Sequence, residues 1–542
     1  MSAGRPRRFG PALLALAGGA AAAAAHPPMG WLPGLFGHAL VLLALQAPGG
    51  ERWGSAFRRG WAAGTGYMAV STLWIAEPFL IDAAQHAWQI PFAMGGMAAG
   101  VGLLWGVGGL LLRLLVRPGA SVTAATAAYA AAFGAAEWLR GHVLTGFPWD
   151  LVGETFRAGS PLSQGAALVG AYGLTPVALF IGAAPAALAG RGGARRLAAP
   201  AAAAALVAAL GVWGAWRLAA LPPAPPGAPV VRVVQPDLPE PPAWTPEVLD
   251  RALDRYGRLS RTPAAGAAPT LVIWPEGALP ASLNETLTPG GPIAVTLADA
   301  VAPGAVLILG GARAEAGPDA RWFNTLAVLR RDRDGLRLAG LYDKHHLVPF
   351  GEYLPLASVL GRLGLRKLVS VGTDFAPGPP PRPLRLPDGS WAQPLVCYEA
   401  LFPGLARRRG GPRPRLLVNI SDDAWFGRDM GPWQHLNLAS YRAIEEGLPM
   451  ARATPTGVSA VIDAGGRPVQ RLPTGRVGVL DAPLPVAAAP TAYARWGELG
   501  LLVLELAAAG AALCLTGDTP RWRPRRGQAN SRGGAAARDT AA

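Results

Sequence analysis

The chain has 542 residues, of which 51% are hydrophobic, and it carries a formal net charge of +15. A soluble domain of average composition is neither so apolar nor so rich in alanine and glycine. The length allows about three or four domains, and a total of two cysteines excludes a disulfide framework of any size.

Apolar segments near the length needed to cross a bilayer, about 20 residues, recur before residue 220. We predict seven transmembrane helices there and an eighth near the C-terminus, at residues 10–26, 31–47, 60–80, 91–115, 121–139, 165–189, 198–219 and 498–516. The first segment also fits a signal peptide, but the many later spans favour a retained first helix.

Arginine clusters predict the orientation of these helices. They precede the first span, separate the second from the third, and follow the fourth, sixth and eighth: Arg5, Arg7, Arg8, Arg52, Arg58, Arg59, Arg113, Arg117, Arg191, Arg195, Arg196, Arg521, Arg523, Arg525 and Arg526. All fall on one side of an eight-span arrangement, and the positive-inside rule makes that side cytoplasmic. Both termini are then cytoplasmic, and residues 230–485 face the opposite side, which in a bacterium is the periplasm. The positive net charge is explained by these cytoplasmic arginines, so we expect no nucleic-acid partner.

An α/β domain is predicted between the seventh and eighth spans. The proline-rich connector LPPAPPGAP at 221–229 indicates a stiff linker. Short β-branched runs closed by Gly, Pro or Asp predict strands at 230–236, 270–276, 305–313, 323–331, 336–344, 393–399, 415–421, 457–466 and 477–484. Helical windows, such as 246–261 and 432–447, separate some of them, which is typical of an α/β domain with its sites at strand ends. The remainder divides into a last membrane segment, 486–516, and a basic disordered tail, 517–542.

Three polar residues end three of these predicted strands: Glu276, Lys344 and Cys397. A nucleophilic thiol needs a lowered pKa or a base, together with donors for the oxyanion that develops on the attacked carbonyl. Glu276 would take the thiol proton and later pass it to the leaving group. Lys344, one of two lysines among 49 basic side chains, would favour the thiolate and hold the oxyanion where a bulkier arginine could not approach. Each residue alone has an ordinary explanation, so the hypothesis rests on the three together.

The segments around these residues resemble a known family. WPEGALP, DKHHLVPFGEYLP and VCYE resemble the Glu–Lys–Cys motifs of the nitrilase superfamily, and in detail they are similar to the bacterial apolipoprotein N-acyltransferases. The resemblance extends to GFPWDLVG at 146–153 and DAWFGRDMGPWQH at 423–435. It implies a polytopic helical membrane domain of seven spans at 1–220, a nitrilase-like αββα sandwich at 230–485 and a last span, in the bacterial inner membrane.

The resemblance also implies an activity. Cys397 would attack an acyl ester of a membrane phospholipid, with phosphatidylethanolamine as the expected donor, and release a lysophospholipid. The amine of the diacylglyceryl-cysteine of an apolipoprotein would then take the acyl chain from the thioester. Glu276 maps to the general base and Lys344 to the oxyanion stabiliser. The residues expected to support the site are Glu352, Tyr398, Glu399, Trp244 and Asn324. We expect the protein to be a monomer. We also expect it to use no cofactor and no metal, because no metal-ligand spacing or nucleotide-binding loop occurs in the domain.

Several positions depart from the family pattern. Asp422 and Asp237 stand where asparagine is usual, and Pro455 and Thr456 stand where a pair of asparagines is common. These changes remove amide donors near the expected acyl pocket, so they bear on substrate preference and rate more than on reaction type. The adjacent acids Asp422 and Asp423 alone are weak evidence for a metal site.

Four further features lie outside the triad. Residues 354–372 combine an apolar face with three basic residues, which indicates an arm that dips towards lipid head groups, with an ordinary surface helix as the alternative. Glu505 lies in the last span, where an acid is a functional candidate, and we expect it to face the bundle paired or protonated. Glu137 and Arg140 lie near a span end and are expected to be interfacial anchors. Cys514 is expected to be an inert small hydrophobe.

Other functions stay open at this stage. A membrane-anchored amidase of the same superfamily would use water to hydrolyse a small amide, but eight spans and a hydrophobic arm favour a lipid-linked substrate. A transferase that acylates another amine is a close variant. A transporter is disfavoured because only Glu505 is clearly ionisable within a span, and an inactive scaffold is disfavoured because all three triad residues are present.

Overall fold

The computed structural model describes residues 10–116, 120–190, 193–238, 245–355, 374–407 and 410–515. Several features of the sequence fall outside these residues. They are Trp244, most of the predicted arm, the C-terminal tail, and the arginines at 5, 7, 8, 117, 191, 521, 523, 525 and 526.

Helices dominate the chain before residue 220. They are α1 Gly10–Ala23, α2 Gly37–Gln46, α3 Trp53–Ser71, α4 Ala83–His86, α5 Ile90–Leu115, α6 Val122–His142, α7 Ala166–Ala183 and α8 Ala198–Ala219. Every predicted span contains a helix, but the third was placed too late, because α3 starts at Trp53 and residues 73–80 form a separate 3₁₀ helix that contains Pro78. By length and composition, three helical stretches among the described residues could cross a membrane: Ala83–Leu115, Leu162–Ala189 and Gly193–Ala219. The eight-span arrangement therefore stays a prediction.

Small residues let these helices approach closely. A Cβ added to Gly19 of α1 would lie 1.9 Å from the carbonyl oxygen of Ala63 in α3. One added to Gly66 of α3 would lie 2.1 Å from the carbonyl oxygen of Leu16. Backbone contact of this kind is how apolar helices gain packing energy in a lipid environment, where burial of side chains alone gives little.

Glu137 and Arg140 were expected to be interfacial anchors, and this prediction is wrong. Both side chains are buried, and Arg140 Nη2 lies 2.7 Å from Glu137 Oε2. The indole nitrogen of Trp105 donates to Glu137 Oε1 at 2.8 Å, while Arg140 Nη1 donates to the carbonyl oxygens of Phe147 (2.7 Å) and Trp149 (2.8 Å). The pair thus holds the loop that follows α6, and its distance from solvent could not be read from its place in the sequence.

Two six-stranded sheets form the part of the chain after residue 229. The strands are β1 Val230–Gln235, β2 Leu271–Ile273, β3 Val306–Ala314, β4 Trp322–Asp332, β5 Gly335–Asp343, β6 Leu384–Arg385, β7 Trp391–Val396, β8 Leu416–Ile420, β9 Met450–Ala453, β10 Ser459–Ile462, β11 Pro468–Leu472 and β12 Gly478–Pro483. The first sheet has the order β12-β1-β2-β3-β4-β5 and the second β11-β10-β9-β8-β7-β6. The remaining helices are α9 Pro246–Ser260, α10 Leu283–Thr286, α11 Pro292–Ala300, α12 Gly431–Glu446, α13 Ala492–Trp496 and α14 Leu499–Cys514.

The sheets pack face to face between two layers of helix. Val233 of β1 and Ile308 of β3 share an apolar cluster with Val418 of β8 from the facing sheet. The other face of the first sheet is covered by α9 and α11, and that of the second by α12. The layer order is helix, sheet, sheet, helix, in agreement with the α/β prediction for this part of the chain.

Helix α12 is buried on both sides. One face lies on the second sheet, and the other contacts the loop that precedes α7. There the Tyr441 hydroxyl donates to the carbonyl oxygen of Phe156 at 2.6 Å, and the Asn437 side-chain amide donates to that of Glu154 at 3.0 Å. Arg442 Nη2 lies 3.0 Å from Glu154 Oε1 with both side chains fully buried. This helix therefore joins the two-sheet part to the helical part.

Candidate active site

The structure brings Glu276, Lys344 and Cys397 together at one end of the sandwich. Glu276 follows β2, and Lys344 follows β5, which runs in the same direction as β2 because two antiparallel pairings separate β5 from β3. Cys397 follows β7 of the facing sheet. The exposed fractions are 8% for Glu276, 1% for Lys344 and 7% for Cys397, so the three groups are largely withdrawn from solvent.

Lys344 is held between two carboxylates. Its Nζ lies 3.2 Å from Glu276 Oε1 and 3.1 Å from Glu352 Oε1. Asn324, on β4, donates its side-chain amide to the same two oxygens at 2.6 and 2.7 Å. Burial favours the neutral amine, but the charges of Glu276 and Glu352 outweigh it and raise the pKa of Lys344 above its ordinary value. The ammonium is therefore a fixed positive charge, which suits an electrostatic role rather than a proton shuttle.

The second oxygen of each carboxylate accepts a backbone N–H. The amide of Asp422 donates to Glu276 Oε2 at 2.8 Å, and that of Val348 donates to Glu352 Oε2 at 2.7 Å. Asp422 is one of the positions that depart from the family pattern, yet its contact with Glu276 comes from the backbone, so the departure leaves this contact intact.

Cys397 opens a tight turn. Its φ is 49°, and it begins a 3₁₀ helix, Cys397–Leu401, where the sequence predicted that the strand would continue to residue 399. A non-glycine residue in this left-handed region is uncommon and persists only where the surroundings impose it. Burial and then the charge of Glu276 raise the pKa of the thiol, and the opposing charge of Lys344 does not reverse this. The resting sulfur is therefore a thiol, and it would need a base in order to act as a nucleophile.

Glu399 connects the turn that starts at Cys397 to the segment that contains Lys344. Its Oε1 accepts the Tyr342 hydroxyl at 2.6 Å and the backbone amides of His345 (2.8 Å) and His346 (3.1 Å). Its Oε2 accepts the amide of Val396 at 2.8 Å. Burial raises the pKa of this carboxyl, although the hydrogen bond from Tyr342 opposes the shift. Four protein donors thus occupy both oxygens of Glu399, so this carboxylate supports the site rather than meeting a substrate.

Replacing Glu399 with glutamine is expected to destabilise this support. The glutamine NH₂ would face either the Val396 N–H or the cluster of donors on Oε1, which leaves a buried donor unpaired at a cost of about 1–3 kcal/mol. We expect a lower thermal unfolding midpoint and slower alkylation of Cys397 by iodoacetamide in a Cys514→Ala background. Glu315→Gln, at an exposed ion pair with Arg321, is the matched control and should change neither quantity. Equal behaviour of the two variants would contradict the assignment.

The turn also contacts the helical part of the chain. The Tyr398 hydroxyl donates to the carbonyl oxygen of Gly146 at 2.9 Å, and the His346 ring Nε2 lies 2.8 Å from the carbonyl oxygen of Thr145. The His346 ring packs on Phe402 with 3.9 Å between ring centroids. Thus the GFPW segment lies beside Cys397. Seven of the eight predicted residues occupy one site, namely Glu276, Lys344, Cys397, Glu352, Tyr398, Glu399 and Asn324, while Trp244 lies outside the described residues.

Four buried residues at this site were missed by sequence reasoning: Ser421, Asp423, His435 and Arg452. Ser421, His435 and Arg452 all contact Asp423, and His435 of α12 also lies 3.3 Å from the carbonyl oxygen of Cys397. Asp423 and His435 lie in a segment that carries the family resemblance, but their spacing does not predict a role for either residue. No sequence pattern points to Arg452. Among the described residues, no group of three His, Cys, Asp or Glu side chains could hold a metal ion.

Two of the departures from the family pattern meet each other. The backbone amide of Asp237 donates to the carbonyl oxygen of Pro455 at 2.8 Å. Asp237 has a φ of 49°, which aspartate and asparagine tolerate better than most residues, and its carboxylate pairs with Arg428 at 3.2 Å. The charge at 237 thus has a basic partner that a neutral asparagine would not need.

Glu505 faces the bundle, as expected. A Cβ added to Gly134 of α6 would lie 2.0 Å from Glu505 Oε1. Within the described part of the chain, that oxygen has no hydrogen-bond partner, so of the two expected states, paired or protonated, the paired one is not found. Glu505 lies on α14, apart from the three strand ends, and we assign it no part in the chemistry.

The chain is similar to known proteins over most of its length. Residues 231–493 match the carbon-nitrogen hydrolase family, and residues 18–184 match the N-terminal domain of apolipoprotein N-acyltransferases. A protein named apolipoprotein N-acyltransferase from Caulobacter vibrioides is 50% identical over 502 residues, which cover 92% of this chain and 93% of that protein. One of the same name from Rhodopseudomonas palustris is 38% identical over 508 residues, covering 91% and 93%. An amidase from Nesterenkonia sp. is similar in structure with a TM-score of 0.32 and 19% identity, covering 48% of this chain and 92% of that one. The chain therefore belongs to the apolipoprotein N-acyltransferase family.

Proposed function

We propose that this protein transfers an acyl chain from a membrane phospholipid to the N-terminal amine of the diacylglyceryl-cysteine of an apolipoprotein, through a thioester on Cys397. The observation that carries the proposal is the meeting of a buried thiol, a carboxylate and a fixed ammonium beside the helical part of the chain. The names of the relatives, which match over nine-tenths of the chain, support the same activity.

The first half of the reaction forms the acyl-enzyme. Cys397 Sγ attacks the ester carbonyl of the phospholipid, and Glu276 takes the thiol proton. Lys344 stabilises the negative charge on the tetrahedral oxygen. The ester C–O bond then breaks, and Glu276 returns the proton to the leaving oxygen, so that a lysophospholipid departs and the acyl chain remains on sulfur.

The second half discharges the thioester. The amine of the acceptor attacks the thioester carbonyl and forms an amide bond, while Glu276 accepts the amine proton. The C–S bond breaks, and the sulfur leaves as thiolate, which Lys344 stabilises until it regains a proton from Glu276. Glu276 suits this repeated use because Asn324, Lys344 and the Asp422 amide hold both of its oxygens in place.

The position of the site relative to the helices supports a periplasmic reaction. At the start of α3, Arg113 of α5 donates to the carbonyl oxygen of Glu51 at 2.8 Å, so these arginine-bearing ends lie together. At the other end of α3, the Gln434 side chain of α12 donates to the carbonyl oxygen of Ser71 at 3.1 Å. The 19 residues of α3 span about 28 Å, close to the thickness of a bilayer core. With the arginines in the cytoplasm, the two-sheet part lies outside the inner membrane. One chain supplies every group of the site, and we propose that it works as a monomer with phosphatidylethanolamine as donor.

The proposal predicts a lipid-derived adduct. Intact-protein mass spectrometry after incubation with phosphatidylethanolamine vesicles should reveal a mass increase of one fatty acyl chain that hydroxylamine removes. A diacylated lipopeptide should discharge the adduct much faster than water does. Cys514→Ala should carry the same adduct, which places it on Cys397. The absence of an adduct, with release of ammonia from small amides, would instead establish the amidase alternative.

A further inference from the structure

A groove lies between the helical part of the chain and the two-sheet part. Its volume is about 770 Å³, within the range of about 300–1,000 Å³ that is usual for ligand sites. Its walls come from the segment between α1 and α2, the loop before α7, helix α8, one face of α12 and strand β11. None of the residues that form the candidate active site lines this groove, so it is a separate cavity.

One wall of the groove is a helix that faces lipid. Helix α8 belongs to Gly193–Ala219, one of the stretches able to cross a membrane, and three of its 22 residues are buried. Val207 and Gly211 of this helix line the groove about one turn apart. A Cβ added to Gly211 would meet no atom within 4 Å, whereas one added to Gly214 would lie 1.9 Å from the carbonyl oxygen of Pro161. The helix is therefore packed at Gly214 and leaves open space beside Gly211.

The opposite wall offers a mainly apolar surface. Asn437 of α12 accepts the backbone N–H of Ala158 at 2.8 Å and donates to the carbonyl oxygen of Glu154 at 3.0 Å. The Ser440 hydroxyl donates to the carbonyl oxygen of Leu436 at 2.7 Å. These polar groups are thus satisfied by protein partners. Apolar side chains line much of the remaining surface, among them Leu32, Phe156, Leu162 and Trp433. Such a surface suits an acyl chain, which gains free energy when it leaves water.

Two arginines border this apolar surface where the loop before α7 meets the second sheet. Arg157 lies on that loop and Arg471 lies on β11, and both line the groove. A Cβ added to Gly159 would lie 2.9 Å from Cγ of Arg467, which directly precedes β11, so the loop and the strand are in contact. The Arg471 guanidinium lies over the Trp433 ring, 5.2 Å from its centroid, and this contact keeps it at the α12 wall.

Helix α8 leads from this charged region into the helical part. Near its end, Arg217 Nη2 donates to the carbonyl oxygen of Ala464 at 3.3 Å, in the turn between β10 and β11. Val207 lies ten residues earlier in the helix, about 15 Å along its axis. The charged residues therefore lie toward the sheets, and the apolar wall extends into the part that a membrane would surround. Head group and acyl chain follow each other in the same order in a bilayer.

The charge of the groove selects an anion. Among the described residues, neither Arg157 nor Arg471 is in an ion pair, and no aspartate or glutamate lines the groove. Both arginines are exposed, so a ligand can reach them. A guanidinium binds phosphate oxygens with paired hydrogen bonds. A head group that adds an ammonium to its phosphate, as phosphatidylethanolamine does, would find no carboxylate here. The groove therefore favours a phospholipid whose head group carries no cation.

We propose that this groove binds an anionic phospholipid of the bilayer, such as phosphatidylglycerol. Its phosphate meets Arg157 and Arg471, and one acyl chain lies along α8 toward Val207. The bound lipid contacts the helical part and the two-sheet part at once, and because it binds the folded chain it stabilises their packing. This site is distinct from that of the acyl donor, and the inference does not depend on the proposed function.

The test is lipid retention by the full chain in detergent, measured by native mass spectrometry with phosphatidylglycerol and phosphatidylethanolamine at equal concentration. We expect the parent to retain one phosphatidylglycerol in preference to phosphatidylethanolamine by ~10-fold, the effect of one charge-assisted contact. Gly211→Phe places a ring in the open space and should remove this preference. The double variant Arg157→Gln/Arg471→Gln changes two exposed side chains, should fold like the parent, and should also lose the preference.

Gly510→Phe is the matched control. Gly510 lies on α14, and a Cβ added there also meets no atom within 4 Å, but this residue does not line the groove. It should retain phosphatidylglycerol as the parent does. The proposal is overturned if the parent shows no preference for phosphatidylglycerol, if Gly510→Phe loses it as Gly211→Phe does, or if a diacylated lipopeptide at equal concentration displaces the bound lipid.

A second measurement separates this site from the proposed function. Formation of the thioester on Cys397 from phosphatidylethanolamine should persist in Gly211→Phe to within a few fold of the parental rate. Its loss in that variant would assign the groove to the acyl donor and overturn a separate site. If the parent forms no thioester but still retains phosphatidylglycerol, and Gly211→Phe does not retain it, the proposed function fails and the lipid site stands.

Discussion

Cys397→Ser is expected to form no acyl-enzyme and to lower acyl transfer by ~10³-fold or more. Serine replaces sulfur by oxygen with little change in volume, so the buried turn that starts at Cys397 should persist. A hydroxyl holds its proton far more tightly than a thiol, and Glu276 is too weak a base to generate an alkoxide. The measurement is the rate at which a diacylated lipopeptide is N-acylated in phosphatidylethanolamine vesicles, with intact mass recorded in parallel.

The control for this prediction is the other cysteine. Cys514 is exposed at the end of α14 and lies far from the three strand ends along the chain. Cys514→Ser should therefore keep both the adduct and the transfer rate. Transfer by Cys397→Ser at a tenth of the parental rate, with no acyl adduct on the variant, would mean that the acyl chain passes directly from lipid to amine without a covalent intermediate.

Lys344→Arg is expected to lower the transfer rate at least ~100-fold although the charge is unchanged. The lysine Nζ fits between Glu276 Oε1 and Glu352 Oε1 with an exposed fraction of 1%. A guanidinium is longer and planar, and it would pair in bidentate fashion with one carboxylate and push the other away. Overpacking at such a site costs about 1–3 kcal/mol, so a modest decrease in the thermal midpoint should accompany the loss of rate.

Two further variants make this prediction specific. Arg337→Lys exchanges the same residue types in the opposite direction on β5, at an exposed ion pair with Asp332, and should leave rate and stability unchanged. Lys344→Met should be much less stable than Lys344→Arg, because two buried carboxylates would then lack their cation. If Lys344→Arg retained most of the parental rate, the requirement for an ammonium at this point would be wrong.

The ends of the strands could be predicted because they depend on local sequence. Glu276 and Lys344 each follow a short apolar run, and that pattern alone predicts both at the end of a strand. The strand before Cys397 is predicted to run on to residue 399, but β7 ends at Val396, because tertiary contacts impose the left-handed φ at Cys397. Strand β9 was missed altogether, since MARA has no β-branched residue and forms only as a central strand between β8 and β10.

The buried residues around Cys397 could not be predicted from the sequence, for a different reason. Ser421, Asp423, His435 and Arg452 meet only after three strands and a helix have packed, and no spacing rule joins positions that far apart. Likewise the buried pair of Glu137 and Arg140 looked interfacial because its partners, among them Trp105, come from another helix. Local pattern predicted which residues end the strands, and only packing shows what surrounds them.

The double burial of α12 has a practical consequence for dissecting this enzyme. A fragment that starts at residue 230 would keep both sheets and the three reacting groups, yet it would leave the outer face of α12 bare. Arg442 would lose Glu154, and the hydroxyl of Tyr441 would lose its backbone acceptors in the excised half. Such a truncation would expose apolar side chains and leave Arg442 without one of its carboxylate partners, so the fragment would tend to aggregate. A soluble catalytic fragment would therefore require redesign of the exposed face of α12 as well as the truncation.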